Sequence, residues 1–296
     1  MIDLHTHTDR SDGSIAPGDL VSQAVEARLE ALAITDHDTL AGYDAALPFA
    51  AAAGLELICA VELSTRAEPR TPGKREPSVH VLGYWLTEPP TAEFRRWLET
   101  QQASRRKRNL DLVAKLNQLG VDVTLDEAEV YGRNQVGRPH FARVLVNKGY
   151  ARDRQQAFDL YLADDAKAAV ERDEPTLQEG IARIVDGDGM ASLAHPVRLP
   201  QRGPELAELV ENLIGIGLGG IEVFHSEHAA RDCEEFAGLA RAFNLIPTGG
   251  TDFHGDNKPE IQLGSGIRGN VCIDYSFLDR MRDLYAAGNE GMSRTI

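Results

Sequence analysis

The chain has 296 residues, 42 % of them hydrophobic and 26 % charged, a globular composition sized for one large domain or two ordinary ones and far from the profile of disorder. A formal net charge of −15 argues against a general affinity for nucleic acid or anionic membrane through bulk charge, although a local basic site could still bind phosphates. No apolar run is long enough for a transmembrane helix.

The chain opens MIDLHTH, without the basic and apolar segments of a signal peptide, so a cytoplasmic location is the expectation. Cys59, Cys233 and Cys272 lie far apart with no CxxC pair, which reads as small core residues in a reducing compartment. Short apolar, β-branched runs recur at 1–4, 31–35, 55–63, 79–86, 190–194, 220–224 and 245–250. Helical patterns follow most of them: 17–29, begun by Pro17; 43–53, ended by Gly54; 206–214; and 231–243. Strand–helix alternation predicts an α/β fold with a mostly parallel sheet. A stretch rich in Pro and charge at 66–77 reads as a surface loop, and 288–296 as a frayed tail.

One segment breaks the rhythm. Between 91 and 175 only helical patterns occur (92–119, 138–148 and 154–162), too long a stretch for an ordinary loop. It reads as a helical subdomain inserted into a discontinuous barrel made of 1–90 and 176–287.

The nine histidines carry the chemistry. Each predicted strand delivers an imidazole or carboxylate at or near its end: His5, His7 and Asp12; Asp36-His37-Asp38; Glu62; His80; His195; Glu222 and His225; Asp252 and His254. In α/β barrels the active site is built on strand ends, so this regularity predicts a site. In His5-Thr6-His7 and in Asp252-Phe253-His254, period-two alternation puts both donors on one side of an extended segment. Imidazole and carboxylate without thiolate suit Mn²⁺, Zn²⁺ or Fe²⁺, and the number of donors points to two or three ions, with Mn²⁺ favoured. A metal-free histidine network would leave several carboxylates together with little positive charge.

HTHTDRSDG, TDHD, Glu62, HVLGY, AHP and GTDFHG together resemble the motifs of the PHP (polymerase and histidinol phosphatase) metal-dependent phosphoesterases, nearly along the whole chain. The resemblance implies a distorted (β/α)7 barrel carrying the helical insertion. It also implies one ion on His5, His7, Glu62 and Asp252, a second on Glu62, His80 and His195, and a third on Asp12, His37 and His254. Within the insertion, 137–143, 148–150 and 157–158 resemble the subgroup of 3′,5′-nucleoside bisphosphate phosphatases, which is also linked to 5′→3′ trimming of short RNA (the RNase AM-like subgroup). The stretch Ala168-Ala169-Val170 departs from it, lacking an aromatic near Ala169.

The helix at 92–119 supports a phosphate site independently. At about 100° per residue, Phe94, Leu98, Leu112, Leu116 and Leu119 form an apolar stripe interrupted on the same face by Gln101, Arg105 and Arg108. Arginine is the natural bidentate phosphate partner, so Arg105 and Arg108 are expected in a polar pocket, with Arg106 and Lys107 in solvent. The resemblance adds Arg138 and His140. His225, just past a strand, is a candidate substrate contact or proton donor; His228 is expected at the surface; Glu222 could orient a ligand histidine; Phe224 and Tyr84 could stack on a base, although core packing is the commoner fate of such residues.

The expected activity is removal of the 3′-phosphate from nucleoside 3′,5′-bisphosphates by in-line attack of a metal-bridging hydroxide, with Glu62, Asp252 and His225 as catalytic residues. It extends to short 5′-phosphorylated RNA, with no membrane and no obligate protein partner. Histidinol phosphate hydrolysis is the alternative, and a noncatalytic metal-binding module the distant one.

Overall fold

The computed structural model describes residues 1–67, 78–132 and 135–293, the last six as backbone only. Seven strands form one sheet in chain order: β1 (Ile2–Thr6), β2 (Ala31–Ile34), β3 (Glu56–Arg66), β4 (Ser78–Trp85), β5 (Met190–Leu193), β6 (Leu218–Phe224) and β7 (Ile246–Gly249). Neighbours pair in parallel except β3–β4 and β4–β5, so β4 runs against both its neighbours. The sheet curls until its edges meet beyond β1 and β7. There Thr6 bridges Phe253, the His7 N–H donates to the Phe253 carbonyl at 2.9 Å, and the Asp252 N–H donates to the His5 carbonyl at 2.8 Å. The expected distorted α/β barrel is this curled sheet.

Period-two alternation aims the ligands inward. In β3, Ile58 and Ala60 join the apolar cluster inside the curl, whereas Cys59, Val61 and Leu63 face the outer helices; Glu62 therefore continues the inward row. In β4, Leu82 and Tyr84 face inward, and so does His80 two residues earlier. Because β4 is reversed, His80 reaches the C-terminal end of the barrel from near the start of its strand rather than from its end. Outside the sheet lie α1 (Pro17–Glu26), α2 (Ala41–Ala53), then, after the inserted helices, α7 (Leu177–Asp186), α8 (Gly203–Ile214) and α9 (Ala230–Ala242).

Between β4 and α7 the described residues hold α3 (Ala92–Gln118), α4 (Leu125–Gly132), α5 (Arg138–Asn147), α6 (Arg154–Ala157) and a π-helical turn, Phe158–Leu162. They share an apolar cluster that includes Leu112, Leu116, Phe141 and Leu145. In α3, Phe94, Leu98, Arg105, Arg108, Leu112 and Leu116 are buried as the stripe predicts, but Leu119 is exposed just past the helix end.

Sequence reading misses α4, α7 and a last helix, α10 (Ser276–Ser293), although α7 carries a readable signal: Thr176 caps it by accepting from the Glu179 N–H. Leu278 and Met281 of α10 join the inner cluster, so the last helix packs on the barrel, and its backbone runs through the expected tail to Ser293; 294–296 lie outside the described residues. Of the expected loop at 66–77, Arg66 instead ends β3, and 68–77 lie outside the described residues. Only Cys59 of the three free cysteines is buried; Cys233 is half-buried and Cys272 exposed.

Candidate metal centre

Glu62 stands at the middle of the imidazole cluster. Its Oε1 lies 2.8 Å from both His80 Nδ1 and His195 Nε2. Its Oε2 faces His7 Nε2 at 3.1 Å, His5 Nε2 at 3.3 Å and His37 Nδ1 at 3.4 Å. Asp252 Oδ1 lies 3.3 Å from His7 Nε2 and 3.4 Å from His254 Nδ1, and Asp12 Oδ1 is 3.1 Å from His254 Nε2. Among the described residues, donor atoms converge in groups able to hold an ion: His5, His7, Glu62 and Asp252; His7, Asp12, His37 and His254; His37, Glu62 and His80; and His5, Glu222 and His225. All nine sequence-predicted ligands therefore meet on one floor.

Electrostatics favour a cation there. Burial alone would push Glu62 and Asp12 up, but the surrounding imidazoles hold both carboxyls well below the usual range. Burial pulls His5 and His7 down, yet the carboxylates outweigh it: His5 is held well above its ordinary value and His7 is raised to about 9. Burial wins at His37 and His195, both lowered to about 3. Protons on His5 and His7 thus fill a deficit of positive charge that divalent ions would fill better. Although carboxylate oxygens lie near them, the buried His7 Nε2 and His37 Nδ1 make no well-aligned hydrogen bond among the described residues, an arrangement that suits metal coordination.

Buried carboxylates anchor the ligand-bearing turns. Asp36 accepts from the Thr8 N–H at 2.7 Å, Thr8 Oγ1 at 2.6 Å and Ser11 Oγ at 2.6 Å, fixing the chain between His7 and Asp12. Asp3 accepts from the Thr251 N–H at 2.9 Å and Thr251 Oγ1 at 2.6 Å. Glu222 Oε1 lies 2.8 Å from His5 Nδ1, where it orients that imidazole. Asp38, His195 and Asp252 all have positive φ (54°, 26° and 57°), a concentration of strained backbone typical of functional sites.

Gly250 lets β7 pass against β1. A Cβ there would lie 2.2 Å from the His5 nitrogen and 2.5 Å from its Cβ. Gly250→Ala should cost about 1–3 kcal/mol of stability, read as a lower melting temperature; an unchanged melting temperature would refute this close approach.

Above the floor opens a cavity of about 250 Å³, lined by Asp12, His37, Glu62, His80, Asp252 and His254 below and by Arg105, Arg108, Arg138 and Arg172 on the side of the inserted helices. The arginines differ in their partners. Arg105 donates to Asp38 and, at 2.9 Å, to Ser64 Oγ; Arg172 donates to Asp38 at 3.0 Å. Arg138 is half-buried and donates to Asp164 at 2.6 Å. Arg108 is buried with its Nε unpartnered, and burial together with repulsion from Arg105, Arg138 and Arg172 lowers it to about 9.

Other expected contacts fall elsewhere. His140 does not line this cavity. His225 is 1 % exposed and does not line it either; its Nε2 sits 3.4 Å from Asp252 Oδ2. His228 is buried, its Nδ1 2.9 Å from the Val223 carbonyl, rather than at the surface. Tyr84 is a core residue donating to the Leu4 carbonyl, and Phe224 packs on Phe277, so neither reaches a base in this cavity. Arg106 and Lys107 are exposed as expected. Sequence reading misses Asp38 as the clasp of two arginines, Arg172, and the cations Arg198 and Lys258, each 2.7 Å from Asp252 Oδ2. Arg172 stands in a charged run that locally reads as solvated.

Residues 3–163 match the family model of the PHP domain. A 5′-3′ exoribonuclease of Haemophilus influenzae is 33 % identical over 254 residues, covering 85 % of this chain and 89 % of that protein. A 3′,5′-nucleoside bisphosphate phosphatase of Chromobacterium violaceum is 30 % identical over 265 residues, covering 89 % of this chain and 90 % of that protein. A crystal structure from Bifidobacterium adolescentis, described as a candidate metal-dependent phosphoesterase, superposes with a TM-score of 0.80 at 29 % identity and covers 96 % of each chain.

Proposed function

The chain belongs to the PHP domain family, and on that footing we propose that it removes the 3′-phosphate from nucleoside 3′,5′-bisphosphates, leaving the 5′-monophosphate. The observation that carries this reading is the pairing, across one small cavity, of a donor floor with Arg108, a buried arginine that forms no ion pair among the described residues. A substrate with two phosphates would satisfy both at once. The similarity to a bisphosphate phosphatase over most of both chains supports the same choice.

Two or three divalent ions, Mn²⁺ in this reading, suit a floor of imidazoles and carboxylates without thiolate. His5, His7, Glu62 and Asp252 would hold one; Glu62, His80 and His195 a second; Asp12, His37 and His254 a third. Such ions lower the pKa of water and neutralise charge on phosphoryl oxygens. Arg108 binds the 5′-phosphate by charge-assisted hydrogen bonds, and Asp38 holds Arg105 and Arg172 beside it so that the wall stays positive. Arg138 closes the rim. Arg198 and Lys258 line the cavity beside Asp252 and add positive charge where the scissile phosphoryl group sits. His225 acts through Asp252, which it holds from the buried side. Phosphorus gains the oxygen of water and loses O3′. The inserted helices, 91–175, supply the specificity wall, and the barrel supplies the floor. No helix among the described residues is long and apolar enough to cross a membrane; the proposed setting is the cytoplasm, with no obligate protein partner.

The test is phosphate release by the Mn²⁺-loaded protein from adenosine 3′,5′-bisphosphate, with AMP and histidinol phosphate in parallel. Release from the bisphosphate that stops at AMP is the expected result. Preference for histidinol phosphate would overturn the substrate assignment and leave the phosphoesterase.

A further inference from the structure

A second cavity, of about 290 Å³, adjoins the first and shares Asp12, Pro139, His254 and Lys258 with it. Its remaining wall includes His140, Arg143 and Arg154. His140 is 3 % exposed, and its ring occupies space that a Cβ at Gly132 would take, 2.5 Å away. The Gly137 N–H donates to its Nδ1 at 2.9 Å, so in the neutral ring the proton is on Nε2. Among the described residues that buried Nε2 has no partner, and it belongs to a residue lining the cavity: a hydrogen-bond donor lacking an acceptor. Burial, with repulsion from Arg105, Arg154 and Arg143, lowers His140 to about 4 and keeps the ring neutral.

The two arginines lean on an amide and a backbone carbonyl. Arg143 donates to Asn257 Oδ1 at 3.4 Å and lies over the Tyr131 ring at 4.3 Å; Arg154 donates to the Asn257 carbonyl at 3.0 Å. Among the described residues neither pairs with a carboxylate. Asp12 and the exposed Asp256 also line the cavity, and Asp12 belongs to the donor floor. A donor without an acceptor, flanked by two cations without counterions, calls for an anion with several acceptor oxygens.

We infer that this second cavity binds the phosphodiester that follows the scissile phosphate in a short 5′-phosphorylated oligonucleotide. The inference rests on the bisphosphate reading, which puts the 5′-phosphate on Arg108 and the scissile phosphate on the shared floor. The next phosphate then lies on the other side of Asp12 and His254. The bond chemistry is the same for both substrates. Water's oxygen joins phosphorus, the P–O3′ bond breaks and O3′ takes a proton. A bisphosphate yields the 5′-monophosphate and phosphate; an oligonucleotide yields a 5′-mononucleotide and a shorter chain with a new 5′-phosphate. Neither a bisphosphate nor a 5′-phosphorylated dinucleotide supplies a phosphate to the second cavity; a 5′-phosphorylated trinucleotide does.

The test compares the Mn²⁺-loaded wild type with an Arg143→Ala/Arg154→Ala variant on adenosine 3′,5′-bisphosphate and on the 5′-phosphorylated tri- and tetraadenylates. The expected result is a roughly tenfold or greater loss of kcat/KM on the oligonucleotides, carried mainly by KM, with bisphosphate turnover within about twofold of wild type. Bisphosphate turnover doubles as the control for folding. Failure of the wild type to cleave the oligonucleotides, an unchanged rate on them in the variant, or equal losses on both substrates would each overturn the inference while leaving the bisphosphate reading in place. A wild type inactive on the bisphosphate would instead remove that reading, and the inference with it.

Discussion

Glu62→Gln is expected to lower phosphate release by about 10³-fold or more, the scale of losing roughly 4 kcal/mol of transition-state stabilisation. The side chain is buried, and its two oxygens face five imidazoles, two on Oε1 and three on Oε2. Glutamine keeps the shape, removes the charge, and turns one of those oxygens into an N–H donor aimed at ring nitrogens. The variant should therefore fold, melt within a few degrees of the metal-free wild type, and carry less metal by elemental analysis. Full metal content together with wild-type turnover would refute a bridging role for Glu62. Metal added to the wild type should raise its melting temperature, since an ion that binds only the folded chain stabilises it, and the variant should lose most of that rise.

Arg108→Met is expected to reduce kcat/KM on adenosine 3′,5′-bisphosphate by about 10- to 100-fold, the range of a charge-assisted hydrogen bond worth about 1.5–3 kcal/mol. Turnover of p-nitrophenyl phosphate, which has no second phosphate, should change little. The same substitution should raise the melting temperature of the free protein at neutral pH. The folded chain lowers Arg108 from its ordinary value to about 9 by burial and by its arginine neighbours. At pH 7 the group is charged in both folded and unfolded chains, so the folded chain bears the cost of that charge, and the thioether removes it. A variant equally impaired on both substrates, or one that melts lower, would remove Arg108 from the 5′-phosphate site. Arg105 is a poorer probe, because its loss also breaks an ion pair of the buried Asp38 and leaves that carboxylate with Arg172 as its one cation among the described residues.

The donor floor was legible in the sequence because its information is local. Seven short strands announce themselves by apolar, β-branched runs, and His5, His7, Glu62, His80, His195, Asp252 and His254 stand at fixed offsets from those runs. Period-two alternation sends Glu62 and His80 to the same inward face as Ile58, Ala60, Leu82 and Tyr84. The apolar stripe of α3 likewise marks Arg105 and Arg108 as buried, and they are.

Which of those buried cations is free for a ligand was decided by tertiary structure alone. A buried charge needs a partner, and periodicity names the face a side chain takes without naming what it meets there. Asp38, brought up from the turn after β2, claims Arg105 and Arg172, and among the described residues no carboxylate forms an ion pair with Arg108. The reversal of β4 decides how His80 enters the floor, and the packing of α5 against α4 turns His140 into a separate cavity beside Arg143 and Arg154. His225 lies one residue beyond its strand, as the sequence says, but the chain folds it behind Asp252 and out of the cavity. Strand ends and helical faces are set by neighbours along the chain, whereas the pairing of charges is set by neighbours in space.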